Sequence, residues 1–145
     1  MDGRDFYNLA VELSAKDRPE ELRSATSRAY YGAFHRVSEY LRSIGISLPT
    51  GPECHRKVRW MLDNSGDGDI VVASGKLSTL RTARNGADYD LANVALETKK
   101  TVAINLHLAR QVMSCIDQCV PGQPKEPVRV ALRTYAKSTL GLSVI

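Results

Sequence analysis

The side chains best suited to chemistry lie between Leu77 and Leu91, in the run Leu-Ser-Thr-Leu-Arg-Thr-Ala-Arg-Asn-Gly-Ala-Asp-Tyr-Asp-Leu. Wound as a helix, this stretch puts residues 77, 80, 84, 87 and 91 on one stripe. Leu77, Leu80, Ala87 and Leu91 are apolar, and Arg84 is the exception. Desolvating a guanidinium is costly, so an arginine on an inward stripe needs a partner: an acidic group, a second subunit or an anionic ligand. Asp88 stands at i,i+4 from Arg84 and can pair with it. Arg81, Asn85, Tyr89 and Asp90 complete a polar neighbourhood. Gly86 reads as an interruption of the helix, at about 1 kcal/mol relative to Ala. Two readings of Arg84 with Asp88 stay open: a structural ion pair at a helix end or dimer interface, or an anion-binding site.

Other residues could join that chemistry. His35 is one of three histidines, the side chains suited to proton transfer near neutral pH, although an interior histidine commonly has a structural role. Tyr30, Tyr31 and Phe34 have the spacing of a packed helix face, with ligand stacking as the alternative. His55, Arg56, Lys57 and Arg59, with Trp60 beside them, form a basic face that is either solvated or in contact with RNA phosphates and a base. Cys115 and Cys119 lie at i,i+4 downstream of His107. A structural zinc site wants four ligands, so buried thiols are expected and no metal. There is no Walker loop, dinucleotide fingerprint or nucleophile elbow, and no cofactor is expected.

The elements that must position these residues read as helices. Asp2 is a plausible cap for a short helix with Phe6, Leu9, Ala10 and Leu13 on its stripe. Lys16–Arg18 make a turn. Pro19, Glu20 and Glu21 suit a helix start. The helix they open is the longest, about Pro19 to Ile44, with Leu22, Thr26, Ala29, Ala33, Val37, Tyr40 and Ile44 at three-four spacing and Gly45 as C-cap. Its small residues Ala25, Ala29, Gly32 and Ala33 allow another helix close. After a loop, Glu53–Leu62 is a short helix with Cys54, Val58, Met61 and Leu62 inward. Following a turn over Asn64–Asp69, a fourth helix runs from about Ile70 to Gly86. Asn93 is a candidate cap for a fifth, about Val94 to Val120, with Val102, Leu106, Ala109, Met113, Ile116 and Val120 as its stripe. Pro121, Pro124 and Pro127 form a stiff linker. A last amphipathic segment, Val128–Ala136, turns Val128, Leu132 and Tyr135 to one side and exposes Arg129, Arg133 and Lys137; it suits a partner contact. The expected architecture is an all-α up-down bundle of four to five helices over residues 1–120, with residues 121–145 as linker and tail.

Composition agrees with one globular domain. The chain has 145 residues, 43% of them hydrophobic and 25% charged, long enough to bury a core without staples. Twenty basic and sixteen acidic residues give a net charge of +4, which permits an anionic partner without demanding one. Three cysteines make no disulfide framework. No apolar run approaches a membrane span of about 20 residues, and the first residues lack a signal peptide's apolar core. A cytoplasmic protein is expected.

Two segments resemble a known family. Ser27-Arg28-Ala29-Tyr30-Tyr31-Gly32-Ala33-Phe34-His35 is similar to the Ser-Arg-x-Tyr-Tyr-x-x-Phe signature of stand-alone prokaryotic HEPN domains. Arg84-Asn85-Gly86-Ala87-Asp88-Tyr89-Asp90-Leu91 resembles their Arg-x-x-Ala-Asp-Tyr segment, and His55-Arg56-Lys57-Val58 resembles them more weakly. The resemblance covers about residues 5 to 120 and implies a helical bundle, usually a homodimer. Nuclease members cleave RNA without metal, with the Arg-x-x-x-x-His motifs of two subunits facing across a cleft. There the arginine binds the scissile phosphate and the histidine helps activate the ribose 2′-hydroxyl. Many are toxins encoded beside a nucleotidyltransferase-type antitoxin; others are non-catalytic partners or nucleotide-binding modules. By this resemblance Arg84 is the motif arginine and Asn85 the polar residue after it, while Tyr89 stands where the histidine would be. A phenol's ordinary pKa of about 10 is far from that of a base poised near neutrality, and His35 could supply an imidazole. The catalytic candidates are Arg84 to hold phosphate, Asn85 and Tyr89 to orient it, and His35 or Tyr89 to handle the proton. Arg81, Asp88, Tyr31, His55, Arg56 and Arg59 are the candidate binding residues. The implied function is a metal-independent ribonuclease or toxin, with a non-catalytic module docking a nucleotidyltransferase as the alternative.

Overall fold

The computed structural model describes residues 1–119 and 125–145. Its helices are α1 (Gly3–Ser14), α2 (Pro19–Ser43), α3 (Glu53–Asp63), α4 (Gly68–Tyr89), α5 (Lys99–Asp117) and α6 (Glu126–Ser138), with one 3-10 turn at Val94–Glu97. Among the described residues the only β pairing is an isolated bridge between Ile46 and Val144. The chain is the expected all-α bundle. Val120, Pro121 and Pro124, assigned above to the fifth helix and linker, lie outside the described residues.

Local chemistry sets most boundaries. Asp2 and Asp5 form a reciprocal capping box on α1. Pro19 opens α2 with Glu20 and Glu21 in its first turn. Asp67 accepts the Ile70 amide at the start of α4, and Thr98 accepts the Thr101 amide at the start of α5. The cap of the fifth helix is therefore Thr98 and not Asn93, because the 3-10 turn intervenes. Gly45, at φ 91°, takes the left-handed conformation that ends α2.

The long helix α2 is the central rod, packed against α1, α4 and α5. At its crossing with α1, two glycines meet. A Cβ on Gly3 would lie 2.8 Å from the Gly32 carbonyl oxygen, and one on Gly32 would lie 3.0 Å from the Tyr7 nitrogen. Only bare backbone allows this approach. It corrects the expected α1 stripe: Gly3 and Ala10 are buried, Phe6 and Leu13 half-buried, and Leu9 exposed, since the inward face is set by the glycine contact.

Two other expectations change. Gly86 does not break the fourth helix, which continues to Tyr89. A Cβ there would lie 2.8 Å from Leu96 Cδ1, so the glycine makes room for a buried leucine. Leu91 falls past the helix end and is exposed, so the stripe stops at Ala87. The segment after Pro127, expected to suit a partner contact, packs on the bundle itself. Helix α6 buries Val128, Leu132 and Ala136 in the main core. Arg133 donates to the carbonyls of Ile44 and Ile145, and the Ser47 amide donates to the Ser143 carbonyl. Lys125 pairs with Asp67 at 2.8 Å. A face with apolar residues at helical spacing is satisfied by its own bundle as readily as by a partner.

Arg23, on α2, joins three elements. Its Nε donates to Glu97 Oε1 at 2.9 Å. Its Nη atoms donate to the carbonyls of Gly86, Ala87, Asp90, Leu91 and Asn93 at 3.0–3.3 Å. One buried guanidinium thus satisfies the orphan carbonyls at the C-terminal end of α4 and fixes the turn into α5. The Gly86, Asp90 and Asn93 carbonyls also accept backbone amides, so replacing Arg23 by Ala strands the Ala87 and Leu91 carbonyls and Glu97, at a cost of about 3 kcal/mol. We expect Arg23→Ala to lower the melting temperature by roughly 10 °C, measured by circular dichroism. Arg23→Lys should recover only part of this, since an ammonium cannot fork to several carbonyls.

Candidate functional site

Arg84 sits on the inward face of α4 with 8% of its surface exposed. Its guanidinium carbon lies 5.5 Å from the ring centre of Tyr30 and 5.4 Å from that of Tyr31, both on α2. The aromatic faces stabilise the cation but accept few of its hydrogen bonds. The carboxylate of Asp88 is 3.7 Å from Nη1, beyond hydrogen-bond length, and accepts from the Ser27 hydroxyl at 3.2 Å. Among the described residues, Arg84 Nε is buried with no hydrogen-bond partner, and so is Arg81 Nε. Two arginines one turn apart on α4 therefore each hold a buried N–H donor without an acceptor, Arg84 against the Tyr30 and Tyr31 rings.

The wall opposite is built from α1, α2 and α3. His55 stacks on Phe34 with ring centres 4.2 Å apart and packs near Tyr30 and Tyr31. Its Nδ1 is hydrogen-bonded to the Tyr30 hydroxyl at 2.5 Å. His35 stacks on Phe6 at 5.3 Å and on Tyr31 at 6.0 Å. Arg28 lies over Phe6 and Tyr31. The glycine crossing of α1 and α2 is what brings Phe6 within reach.

Charge in this box is tuned against more positive charge. Burial, and then Arg81 and Arg84, push the His55 pKa down from 6.5 to about 4. Burial also lowers His35, with Glu39 opposing it. Burial raises the Tyr30 phenol, which stays protonated. At neutral pH His55 is a neutral imidazole, and its bond to Tyr30 admits two arrangements. In one, the phenol donates to Nδ1 and Nε2 carries the hydrogen. In the other, Nδ1–H donates to the phenol oxygen and Nε2 is a free base.

The structure sorts the residues singled out in the sequence. Arg84, Arg81, Asp88, Tyr31 and His55 converge, and His35 borders them through the Tyr31 and Phe6 stack. Asn85 is exposed with no side-chain hydrogen bond among the described residues, and Tyr89 is 77% exposed at the end of α4. Neither belongs to the pocket of this protomer. A helix carries residues i and i+4 together, so Tyr89 follows the exposed Asn85 and not the buried Arg84. His55 corrects the solvated-face expectation: its ring is stacked inside, while Arg56 and Arg59 are outside, half-exposed in their ion pairs with Glu53 and Asp63. Arg56 and Arg81 border a pocket of about 190 Å³ with Pro52 and Glu53. Tyr30, read above chiefly as core, is the hydrogen-bond partner of His55; Ser27, which orients Asp88, was not singled out. The Ser-x-x-Tyr spacing that puts both on one face of α2 was the available signal.

The arrangement offers an anion unused cationic donors, an imidazole and a carboxylate that could be displaced. No group of three or more His, Cys, Asp or Glu able to hold a metal occurs among the described residues. All three cysteines are free. Comparison with known protein families, curated proteins and solved structures finds no match to this chain.

The depressed His55 pKa fixes a sign for stability. Unfolded His55 takes up a proton near pH 6.5, whereas the folded residue does so only near pH 4. Between these values the unfolded chain binds more protons, so stability falls on acidification from 6.5 to 4 and returns as pH rises. We expect the drop in melting temperature across that window to be smaller in His55→Gln than in wild type. Equal drops would show that the fold does not hold His55 neutral.

Proposed function

We propose that this protein is a HEPN-type RNA-binding protein that cleaves RNA without a metal ion, as the toxin half of a two-component module. The observation that carries the proposal is the buried Arg84, with Arg81 beside it, holding unpartnered N–H donors next to a neutral imidazole. A phosphate diester supplies the missing acceptors, and its charge is matched by a planar, forked donor. Arg84 and Arg81 bind the scissile phosphate and stabilise the charge that builds on it. His55, with Nδ1–H donating to Tyr30, presents Nε2 to the ribose 2′-hydroxyl and takes its proton. The 2′-oxygen bonds to phosphorus, the P–O5′ bond breaks, and the leaving 5′-oxygen takes a proton from water, which leaves a 2′,3′-cyclic phosphate. Bound phosphate raises the low His55 pKa toward neutrality, because a negative charge enters a site dominated by positive ones. His35 and Tyr31 pack the imidazole in place. This reading moves the proton chemistry from the α4 motif, where Tyr89 stands, to α3.

The test is cleavage of total cellular RNA by purified protein in EDTA. Arg84→Ala should lower the rate by about 10²- to 10³-fold, and His55→Ala by about 10²- to 10⁴-fold. Tyr89→Phe should cleave like wild type. An inactive wild type would sink the nuclease reading.

A second reading is favoured by one observation: the Tyr30 phenol already occupies His55 Nδ1. In the arrangement where the phenol donates, Nε2–H is a fixed donor and the pocket binds a nucleotide phosphate without proton transfer. The protein is then a non-catalytic partner of a nucleotidyltransferase, and it would co-purify with one encoded beside it.

Both readings include a homodimer. Tyr89, Leu91 and Val94 are 77%, 74% and 67% exposed at the end of α4, next to the Arg84 pocket. A second copy covering them would bring two pockets to one cleft about a two-fold axis. We expect light scattering to show a dimer, and Leu91→Glu, an exposed change outside the bundle core, to shift it to monomer. A monomeric wild type would contradict the shared cleft. The free thiols suit a reducing cytoplasm.

A further inference from the structure

Trp60 is the chain's one tryptophan, and 41% of it is exposed on the outer face of α3. An exposed indole loses apolar burial and gains nothing from the core. It is nevertheless held in place: the Arg56 guanidinium lies over its ring, 5.2 Å from the centre. Arg56 stands one turn before Trp60, so the two share a face of the helix. The same arginine lines the pocket of about 190 Å³ with Pro52, Glu53 and Arg81. Arg81 is the residue whose charge also acts on His55. Arg56 therefore stands between the surface indole and a small pocket that Arg81, one turn before Arg84 on α4, also lines.

The charge on this face is positive and available. Arg56 is paired with Glu53 at 3.0 Å, Lys57 with Glu53 at 3.8 Å and Arg59 with Asp63 at 3.7 Å. Four of these five residues are also exposed, all but Lys57. Surface pairs of this kind contribute little to stability, so they exchange readily for the phosphates of a strand. Arg56 covers one face of the indole, and a stacking surface needs only the other.

We propose that Trp60 and Arg56 form a base-stacking platform for single-stranded RNA, adjoining the Arg84 site. This rests on the RNA reading above and names the form of substrate: an unpaired nucleotide next to the bound phosphate. A base stacks on the open indole face, Arg56 and Arg59 hold flanking phosphates, and the strand passes by Arg81 toward Arg84. Duplex RNA does not fit, because its bases are already stacked on one another.

The experiment follows Trp60 emission while a single-stranded oligoadenylate of about ten nucleotides is added. The same titration is run with a duplex RNA and with polyglutamate. Single-stranded RNA should quench the emission, and the other two should not. Fluorescence anisotropy of labelled oligoadenylate should show Trp60→Leu binding about 5- to 100-fold more weakly, and Trp60→Phe close to wild type. Circular dichroism of each variant checks the fold. Unchanged emission with single-stranded RNA overturns the platform, even where wild type cleaves RNA. Equal affinity of Trp60→Leu and wild type overturns it as well. Equal quenching by polyglutamate overturns it in favour of an acidic protein partner. Quenching by single-stranded RNA without any cleavage keeps the platform and removes the nuclease reading alone, so the two fail separately.

Discussion

A buried guanidinium leaves costly donors wherever it lacks acceptors, and among the described residues Arg23 and Arg84 answer that cost in opposite ways. Arg23 and Arg84 lie on the two helices that form the centre of the fold, with 7% and 8% of their surfaces exposed. Arg23 spends its donors on Glu97 and on five carbonyls where α4 ends. Arg84 has a distant carboxylate, two aromatic faces and an Nε with no acceptor. Desolvation costs both residues heavily. Arg23 recovers the cost in structure. Arg84 does not, and among the described residues its Nε keeps no acceptor.

The rest of the fold keeps that deficit in shape. Two glycines let α1 lie against α2 closely enough for Phe6 to reach His35 and Tyr31. Tyr30 bridges the two sides of the pocket, under Arg84 by its face and at His55 by its hydroxyl. Ser27 holds Asp88 so that the carboxylate stands near Arg84 without saturating it. Arg23 anchors the far end of α4 and so fixes the helix that carries Arg81 and Arg84. Stability and site are linked through one element. Loosening α4 at its C-terminus would move both guanidinium groups.

Much of this was legible in the sequence, and the misses have specific causes. Arg84 stood out because a charge broke an apolar stripe, and that stripe is the one α4 buries up to Ala87. Arg23 leaves no such local signal, since its role is to cap another helix 63 to 70 positions away. Pairing over such a distance leaves no local pattern. Gly86 looked like a helix breaker because propensity is local, whereas its use is to admit Leu96 from a later turn. The tail reads as a partner contact because an amphipathic face does not say which surface it covers. His55 looked like one member of a charged run, because α3 turns one residue of that run inward every three or four.

The neutral His55 bears most directly on how such a site could work. A positively charged imidazole beside two arginines would repel them and could accept no proton. Burial and those arginines together keep the ring neutral, and the ring stays a base only while the pocket is empty of anions or newly filled. An arriving phosphate changes the balance: it satisfies the guanidinium donors and favours a proton on the imidazole at the same moment. The anion would thereby create the proton affinity that activation of a 2′-hydroxyl requires, and only when substrate is in place. Tyr30 decides whether this happens, because the hydrogen between Oη and Nδ1 sets whether Nε2 is an acceptor or a donor. One hydrogen's position on one buried bond thus separates a cleaving site from a binding site built of the same residues.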